Sequence, residues 1–309
     1  MRIRSTKYLV GFFVLFVLLL PHNNVFAACS DTGYTVVYIN GINAKSESDT
    51  QTDTNLLGNE FQGRSSLNGV NFFPGYNPSH LAGLGDKAES IAQALGTTIT
   101  NFDRDTILMQ IYPQVKTRKI LLVGHSQGTF YTNEIYRYLI DHGIPTESIA
   151  IYNLATPADH VEGDGTYITS ENDKVINLVR NIASTFKVKQ PLPANIDIPF
   201  TPQEATDPYG GHSFSGVYLA NIPARIVSEI NDTLKKLSVV GVPNTADGGC
   251  FTPPQKDFSY ESQKVFFAVA DPTMTVVVAA NKGVAALGET ALAQIIGFSQ
   301  SVASAAREV

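Results

Sequence analysis

KILLVGHSQGTFYTNEIYRYLID, residues 119–141, places an apolar run, a glycine-flanked turn and a helix-forming stretch in immediate succession. The run at 119–123 is short and continuously apolar, as in strands buried on both faces of a parallel sheet. From 129 to 141 the apolar and aromatic residues recur at helical spacing, and His142-Gly143 forms a stop. The segment therefore predicts a buried strand, a sharp turn and a helix packed beside that strand.

The turn itself reads Gly124-His125-Ser126-Gln127-Gly128, the pattern glycine-X-serine-X-glycine. A serine hydroxyl is a weak nucleophile unless a base takes its proton, and a strand-to-helix turn exposes the oxygen while the glycines remove steric clashes. The pattern alone is weak evidence, so its context decides. Because a buried strand precedes it and a helix follows, the sequence predicts Ser126 as a nucleophile.

A base is expected later in the chain, after an acid, because this architecture imposes the order serine, acid, histidine. His142 and His160 follow the serine too closely to leave room for a strand and an acid-bearing loop. His212 lies in a glycine-containing loop, residues 210–214, just before a helical pattern. His212 is therefore the predicted general base, against the alternative of an ordinary surface-loop histidine.

The predicted acid is Asp173, which follows a predicted strand at 166–170 and precedes a helix at 174–184. That position is the carboxyl end of a strand, beside the serine. Asp197 and Asp207 are rivals, but both lie in a proline-rich segment rather than after a strand. An N-cap role would also account for an aspartate at position 173.

The rest of the chain alternates strands and helices, which predicts an α/β fold with a mostly parallel sheet and helices on both faces. Residues 43–55 are a polar stretch, and 188–209 is a proline-rich segment predicted to be a cap or lid loop. The further predicted strands are 35–40, 70–76 and 148–154, and the further helices 78–95, 103–115 and 217–237.

These pieces resemble the α/β-hydrolase superfamily, specifically its lipase, esterase and thioesterase members, over about residues 35–237. The resemblance is carried by Asn40-Gly41-Ile42-Asn43, the Ser126 turn, Ala155-Thr156-Pro157, Glu171-Asn172-Asp173-Lys174-Val175 and the His212 loop. It implies an α/β-hydrolase fold and a catalytic domain at 28–241.

The resemblance also implies roles around the serine. Gly124, His125 and Gly128 would form the nucleophile elbow, and the backbone N–H groups of Ile42 and Gln127 would form the oxyanion hole. In that family the turn after the early strand often reads His-Gly, whereas this chain has Asn40. A backbone donor does not depend on that side chain, but the local hydrogen bonding must differ.

Residues 1–27 have the features of a cleaved export signal: a basic start, an apolar run at 9–20 and a small-residue cleavage site. A membrane anchor is the alternative, but a spanning helix needs about 20 apolar residues. Export, to the periplasm or outside the cell, makes a disulfide between Cys29 and Cys250 the first expectation. A lipidated Cys29 and two free thiols are the alternatives.

Composition limits the partners. The net charge of −6, without a lysine or arginine cluster, excludes a nucleic-acid footprint. Asp159, His160, Glu162 and Asp164 could bind a cation, but no metal-ligand spacing is matched, and neither metal nor cofactor is predicted. The extension at 242–309 is predicted to be mainly helical, either packed on its own domain or in contact with a membrane or partner.

The sequence thus predicts an exported serine hydrolase of the lipase or esterase type that cleaves carboxylic esters, including lipid-like ones, through an acyl-enzyme. Thioesterases, peptidases or amidases and acyltransferases use the same three residues, and the fold does not choose among them. A catalytically silent hydrolase fold that serves as a surface or binding protein is the alternative of a different class. Membrane contact through Cys29 or the C-terminal helix stays open, as does the oligomeric state.

Overall fold

The computed structural model describes residues 29–42, 44, 46–78, 101–239, 245, 248–257, 260–265 and 268. Their centre is a parallel five-stranded sheet of order β2-β1-β3-β4-β5. Because the chain winds outward in both directions from β1 and β3, the crevice at the carboxyl ends of these two strands is the topological switch point. The strands are β1 (Tyr34–Ile39), β2 (Val70–Gly75), β3 (Ile120–His125), β4 (Ile149–Leu154) and β5 (Thr166–Ile168).

Helices cover both faces of the sheet, as predicted. Val36 and Tyr38 of β1 belong to the core cluster that includes the helices Glu47–Arg64 and Pro223–Lys236, whereas Val37 and Ile39 belong to the cluster that includes the helices Asn101–Ile111 and Gly128–Asp141. Successive strand residues point to opposite faces, so one strand supplies both layers. The helices are α1 (Glu47–Arg64), α2 (Asn101–Ile111), α3 (Gly128–Asp141), α4 (Lys174–Phe186), α5 (Pro202–Thr206) and α6 (Pro223–Lys236).

Two elements differ from the sequence prediction. The polar stretch at 43–55 contains the start of α1, which turns small residues, among them Thr50, Thr54 and Gly58, towards the protein interior. The single helix predicted at 217–237 is instead a π-helix, Phe214–Leu219, followed by α6. Pro223 begins α6, as suits a residue with no N–H to donate.

The proline-rich segment 188–209 runs beside the end of β5. Asn195 N donates to Thr169 O at 2.9 Å, and Glu171 N donates to Ile196 O at 2.8 Å. The segment carries α5 and then leads into the His212 loop. These bonds tie it to the sheet edge, and its role as a lid stays a prediction.

Cys29 and Cys250 form the expected disulfide, with a Cα–Cα distance of 5.0 Å, so neither sulfur is a free thiol. Cys250 and Phe251 are buried in the same layer as α2 and α3. The predicted export signal, most of the helix predicted at 78–95 and the part of the predicted helical extension after 268 lie outside the described residues. In the described part of the chain, no helix is both long and apolar enough to cross a membrane.

Candidate active site

Ser126 occupies a strained turn between β3 and α3. Its φ is 56°, in the left-handed region that a residue with a Cβ seldom adopts. The turn is held on both sides: Ser126 N donates to Leu154 O, and Thr129 N donates to Ser126 O, each at 3.0 Å. These two hydrogen bonds hold the strained residue at the carboxyl end of β3.

The glycines around Ser126 are required by close packing. A Cβ on Gly124 would lie 2.7 Å from Asn153 Oδ1, and one on Gly128 would collide with the carbonyl oxygen of Ile39. A Cβ on Gly41 would lie 2.6 Å from the Cβ of Ser126. β1, β4 and α3 therefore approach the turn too closely for any side chain at these three positions.

The structure brings the three predicted side chains into one hydrogen-bonded chain. Ser126 Oγ lies 2.8 Å from His212 Nε2, and His212 Nδ1 lies 2.9 Å from both carboxylate oxygens of Asp173. Since a carboxylate only accepts, Nδ1 carries the proton and Nε2 is free to accept from the serine hydroxyl. This is the geometry of a nucleophile, a base and an orienting acid.

The rival acids are engaged elsewhere. Asp197 accepts from Asn172 Nδ2 at 2.6 Å, and Asp207 accepts from Tyr209 N at 2.8 Å. Asp173 also caps α4, since its Oδ1 accepts from Ile176 N at 3.0 Å. One carboxylate therefore caps α4 and also accepts from His212.

Asp173 is completely buried. Burial by itself would raise its pKa, but the electrostatic interaction and hydrogen bond with His212, together with the bonds from Ile176 N and Tyr218, outweigh that effect and hold the pKa below its ordinary value. The side chain is therefore an ionised carboxylate at neutral pH.

His125, beside the serine, is neutral. Burial, followed by the electrostatic interaction with His212, lowers the pKa of His125 to about 3. Its Nε2 lies 2.8 Å from the backbone oxygen of His212, so Nε2 carries the proton and donates it to that carbonyl. His125 thus ties the His212 loop to the end of β3, a contact that the sequence does not reveal.

Tyr218 is a site residue that the sequence analysis missed. Its hydroxyl donates to Asp173 Oδ2 at 2.9 Å and accepts from Ser170 N at 3.0 Å. The residue is fully buried in the π-helix that follows His212. No local pattern marks it, because its partner is 45 residues earlier in the chain.

The predicted oxyanion donors flank Ser126. Gly41 lies against Ser126, because a Cβ added to it would be 3.1 Å from Ser126 Oγ, and Ile42 is the next residue in the chain. Gln127 is the N-cap of α3, and a helix N-terminus favours negative charge. The oxyanion role of the two N–H groups stays a prediction.

Asn40 organises the turn that carries Ile42. Its Oδ1 accepts from Asn77 N at 2.8 Å and from Thr50 Oγ1 at 2.9 Å. Its Nδ2 donates to Asn77 O at 3.0 Å and to Gly41 O at 2.8 Å. The buried amide of Asn40 therefore links the turn after β1 to Asn77 and to α1.

The acidic loop near the site is occupied by ion pairs. Asp159 lies 2.5 Å from His160 Nδ1 and 3.0 Å from Lys189 Nζ, and Glu162 lies 3.3 Å from Arg137. Across the described ranges, no group of three or more histidine, cysteine or acidic side chains is arranged to hold a metal ion.

Comparisons with known proteins add little. No protein-family model matches the chain, and no curated protein matches it in sequence. Among solved structures, a cutinase-like protein from Cryptococcus sp. aligns over 70% of this chain and 100% of its own, with 12% identity and a TM-score of 0.34. A TM-score this low transfers no property, so the function must be argued from the geometry of the site.

Proposed function

We propose that the protein is an exported serine hydrolase that cleaves carboxylic esters, with Ser126 as nucleophile, His212 as general base and Asp173 as orienting acid, on an α/β-hydrolase fold. One observation carries the proposal. Ser126, strained at φ 56°, lies 2.8 Å from a histidine nitrogen whose other ring nitrogen is held by a buried carboxylate.

In the proposed mechanism, Ser126 Oγ attacks the ester carbonyl while His212 Nε2 takes the hydroxyl proton. The N–H groups of Ile42 and Gln127 bind the oxyanion, each contributing about 3 kcal/mol in the transition state. His212 then gives the proton to the departing alkoxide, which leaves as the alcohol. Water, deprotonated by His212, hydrolyses the acyl-serine and releases the acid.

The electrostatics around the base support this cycle. Asp173 stays ionised and stabilises the imidazolium that forms on His212 during each proton transfer. His125 is neutral, so it adds no positive charge beside that imidazolium. The strained turn supports catalysis over a silent hydrolase fold, because strain of about 1–3 kcal/mol persists mainly where function requires it.

The disulfide supports export, since such bonds persist in oxidising compartments. Within this proposal the ester is one of several acyl substrates, because thioesters and amides would react with the same three residues. We therefore expect activity against short or lipid-like esters, with thioesters and amides as the comparison substrates.

The test is labelling of the purified, folded protein with a fluorophosphonate probe, followed by a p-nitrophenyl ester series of increasing acyl length. Labelling should disappear in Ser126→Ala and His212→Ala. Ser48→Ala and His142→Ala, which alter an exposed serine and an exposed histidine, are the matched controls and should label like the wild type. Unlabelled wild type, or labelling retained in Ser126→Ala, would refute the proposal.

A further inference from the structure

Building on the proposed function, we propose that Tyr218 is a positioning residue for the base. Its phenol shares the negative charge of Asp173 and so sets how strongly that carboxylate holds His212. The geometry is direct: Asp173 Oδ2 accepts from Tyr218 OH and from His212 Nδ1, each at 2.9 Å. Asp173 Oδ2 therefore accepts hydrogen bonds from both side chains at once.

Tyr218 is fixed in place on its other side as well. Its hydroxyl oxygen accepts from Ser170 N at 3.0 Å, and its side chain is completely buried. Burial, followed by the charge of Asp173, raises the pKa of the phenol above its ordinary value. The hydroxyl therefore stays protonated and serves as a permanent donor to the carboxylate.

The π-helix couples Tyr218 to the base. Ser213, directly after His212, accepts at its carbonyl from Val217 N at 3.0 Å and from Tyr218 N at 3.2 Å. The second bond spans five residues, and such wide turns are frequent at functional sites. Because of this wide turn, Tyr218, only six residues after His212, reaches the same carboxylate as His212 does.

Among the described contacts, no other charged side chain near Asp173 and His212 donates a hydrogen bond to Asp173. Arg180, whose charge acts on Asp173, donates instead to Asn177 and to Leu192 O, each at 2.8 Å. Among the described contacts, Tyr218 and His212 are therefore the two side chains that donate hydrogen bonds to the Asp173 carboxylate. Besides Tyr218, the titratable groups that interact electrostatically with Asp173 or His212 are His125 on β3 and Arg180 on α4.

The first test is Tyr218→Phe. Without the phenol, the full charge of Asp173 falls on His212, so the acid limb of the kcat/KM profile should move to higher pH. We expect kcat to fall about tenfold with little change in KM, a small part of the roughly 10⁴-fold cost of altering the acid in a serine protease. Tyr152→Phe is the matched control, because Tyr152 is equally buried and donates to Glu229 at 3.0 Å.

The second test is Tyr218→3-fluorotyrosine, which keeps the shape and both hydrogen bonds. Its more acidic hydroxyl withdraws more charge from Asp173, so the acid limb should move the opposite way, to lower pH. Suppose that the wild type hydrolyses esters through Ser126 but that both Tyr218 variants and Tyr152→Phe show the same acid limb of the kcat/KM profile as the wild type. The proposed role of Tyr218 is then wrong. If the wild type has no Ser126-dependent turnover, the proposed function itself fails.

Discussion

His125 shows how one buried side chain makes stability depend on pH. Its pKa is about 3 in the folded protein against 6.5 ordinarily, so below pH 6.5 the unfolded chain binds a proton that the native state does not. The contribution of neutral His125 to the free energy of unfolding is therefore complete above pH 6.5. As the pH falls from 6.5 towards 3, the free energy of unfolding decreases by up to about 1.4 kcal/mol per pH unit.

We therefore predict that His125→Gln, which keeps a donor for the His212 carbonyl, removes part of this dependence. Urea unfolding at pH 7 and pH 5 should show that the wild type loses more free energy of unfolding on acidification than the variant. His142→Gln, at an exposed site, should behave like the wild type. Parallel losses in all three proteins would show that His125 titrates normally.

Gly41 gives a second prediction at the residue scale. Because an added Cβ would lie 2.6 Å from the Cβ of Ser126, Gly41→Ala should displace the turn and abolish fluorophosphonate labelling. Gly63→Ala, where nothing lies within 4 Å, is the matched control and should stabilise α1 by up to about 1 kcal/mol. Normal labelling of Gly41→Ala would mean that the turn is less tightly packed than the structure indicates.

At the scale of elements, the His212 loop depends on α5. Lys174 Nζ donates to the carbonyls of Glu204, Ala205 and Asp207 at 3.1, 2.8 and 2.8 Å, which closes the C-terminal end of this short helix. The ammonium therefore joins α4, which begins beside Asp173, to the chain that leads into His212.

We predict that Lys174→Met slows labelling and lowers the free energy of unfolding by about 1–2 kcal/mol, because three charge-assisted hydrogen bonds are lost while the apolar stem remains. Lys189→Met is the control: this exposed lysine pairs with Asp159, and surface pairs contribute at most about 1 kcal/mol. Chemical unfolding and labelling rates check both variants. Equal behaviour of the two would contradict a role for Lys174 in holding the loop.

The predictability of each element follows from its physics. β3 and α3 can be predicted from the sequence, because β3 is a continuous apolar run and α3 has apolar residues at helical spacing. The order of Ser126, Asp173 and His212 follows from the position of each residue after a strand or in a loop at the carboxyl end of the sheet. α1 is not, because its inward face carries small polar residues such as Thr50 and Thr54. The bond between Tyr218 and Asp173 is long-range and leaves no local pattern.

At the scale of the whole molecule, strand order creates the site. β1 and β3 are neighbours although β2 lies between them in sequence, so the turns after these two strands meet at one crevice. The sequence predicts parallel strands but not this order, which depends on how the helices pack over both faces. The amino-terminal ends of β1 and β3 lie at the other end of the sheet from the site. There Ser30 pairs with Thr117, next to Cys29 of the disulfide.

The disulfide should therefore act on stability and leave the chemistry intact. Cys29 and Cys250 are 221 residues apart, so the bond constrains almost the entire described chain when it unfolds. We predict that Cys29→Ser, Cys250→Ser and the double variant each lose about 2–5 kcal/mol of unfolding free energy. Reduction of the wild type should give the same loss, measured by urea unfolding with and without reductant. Labelling of Ser126 should persist while the variants are folded, and its loss in a folded variant would place the disulfide's influence at the site itself.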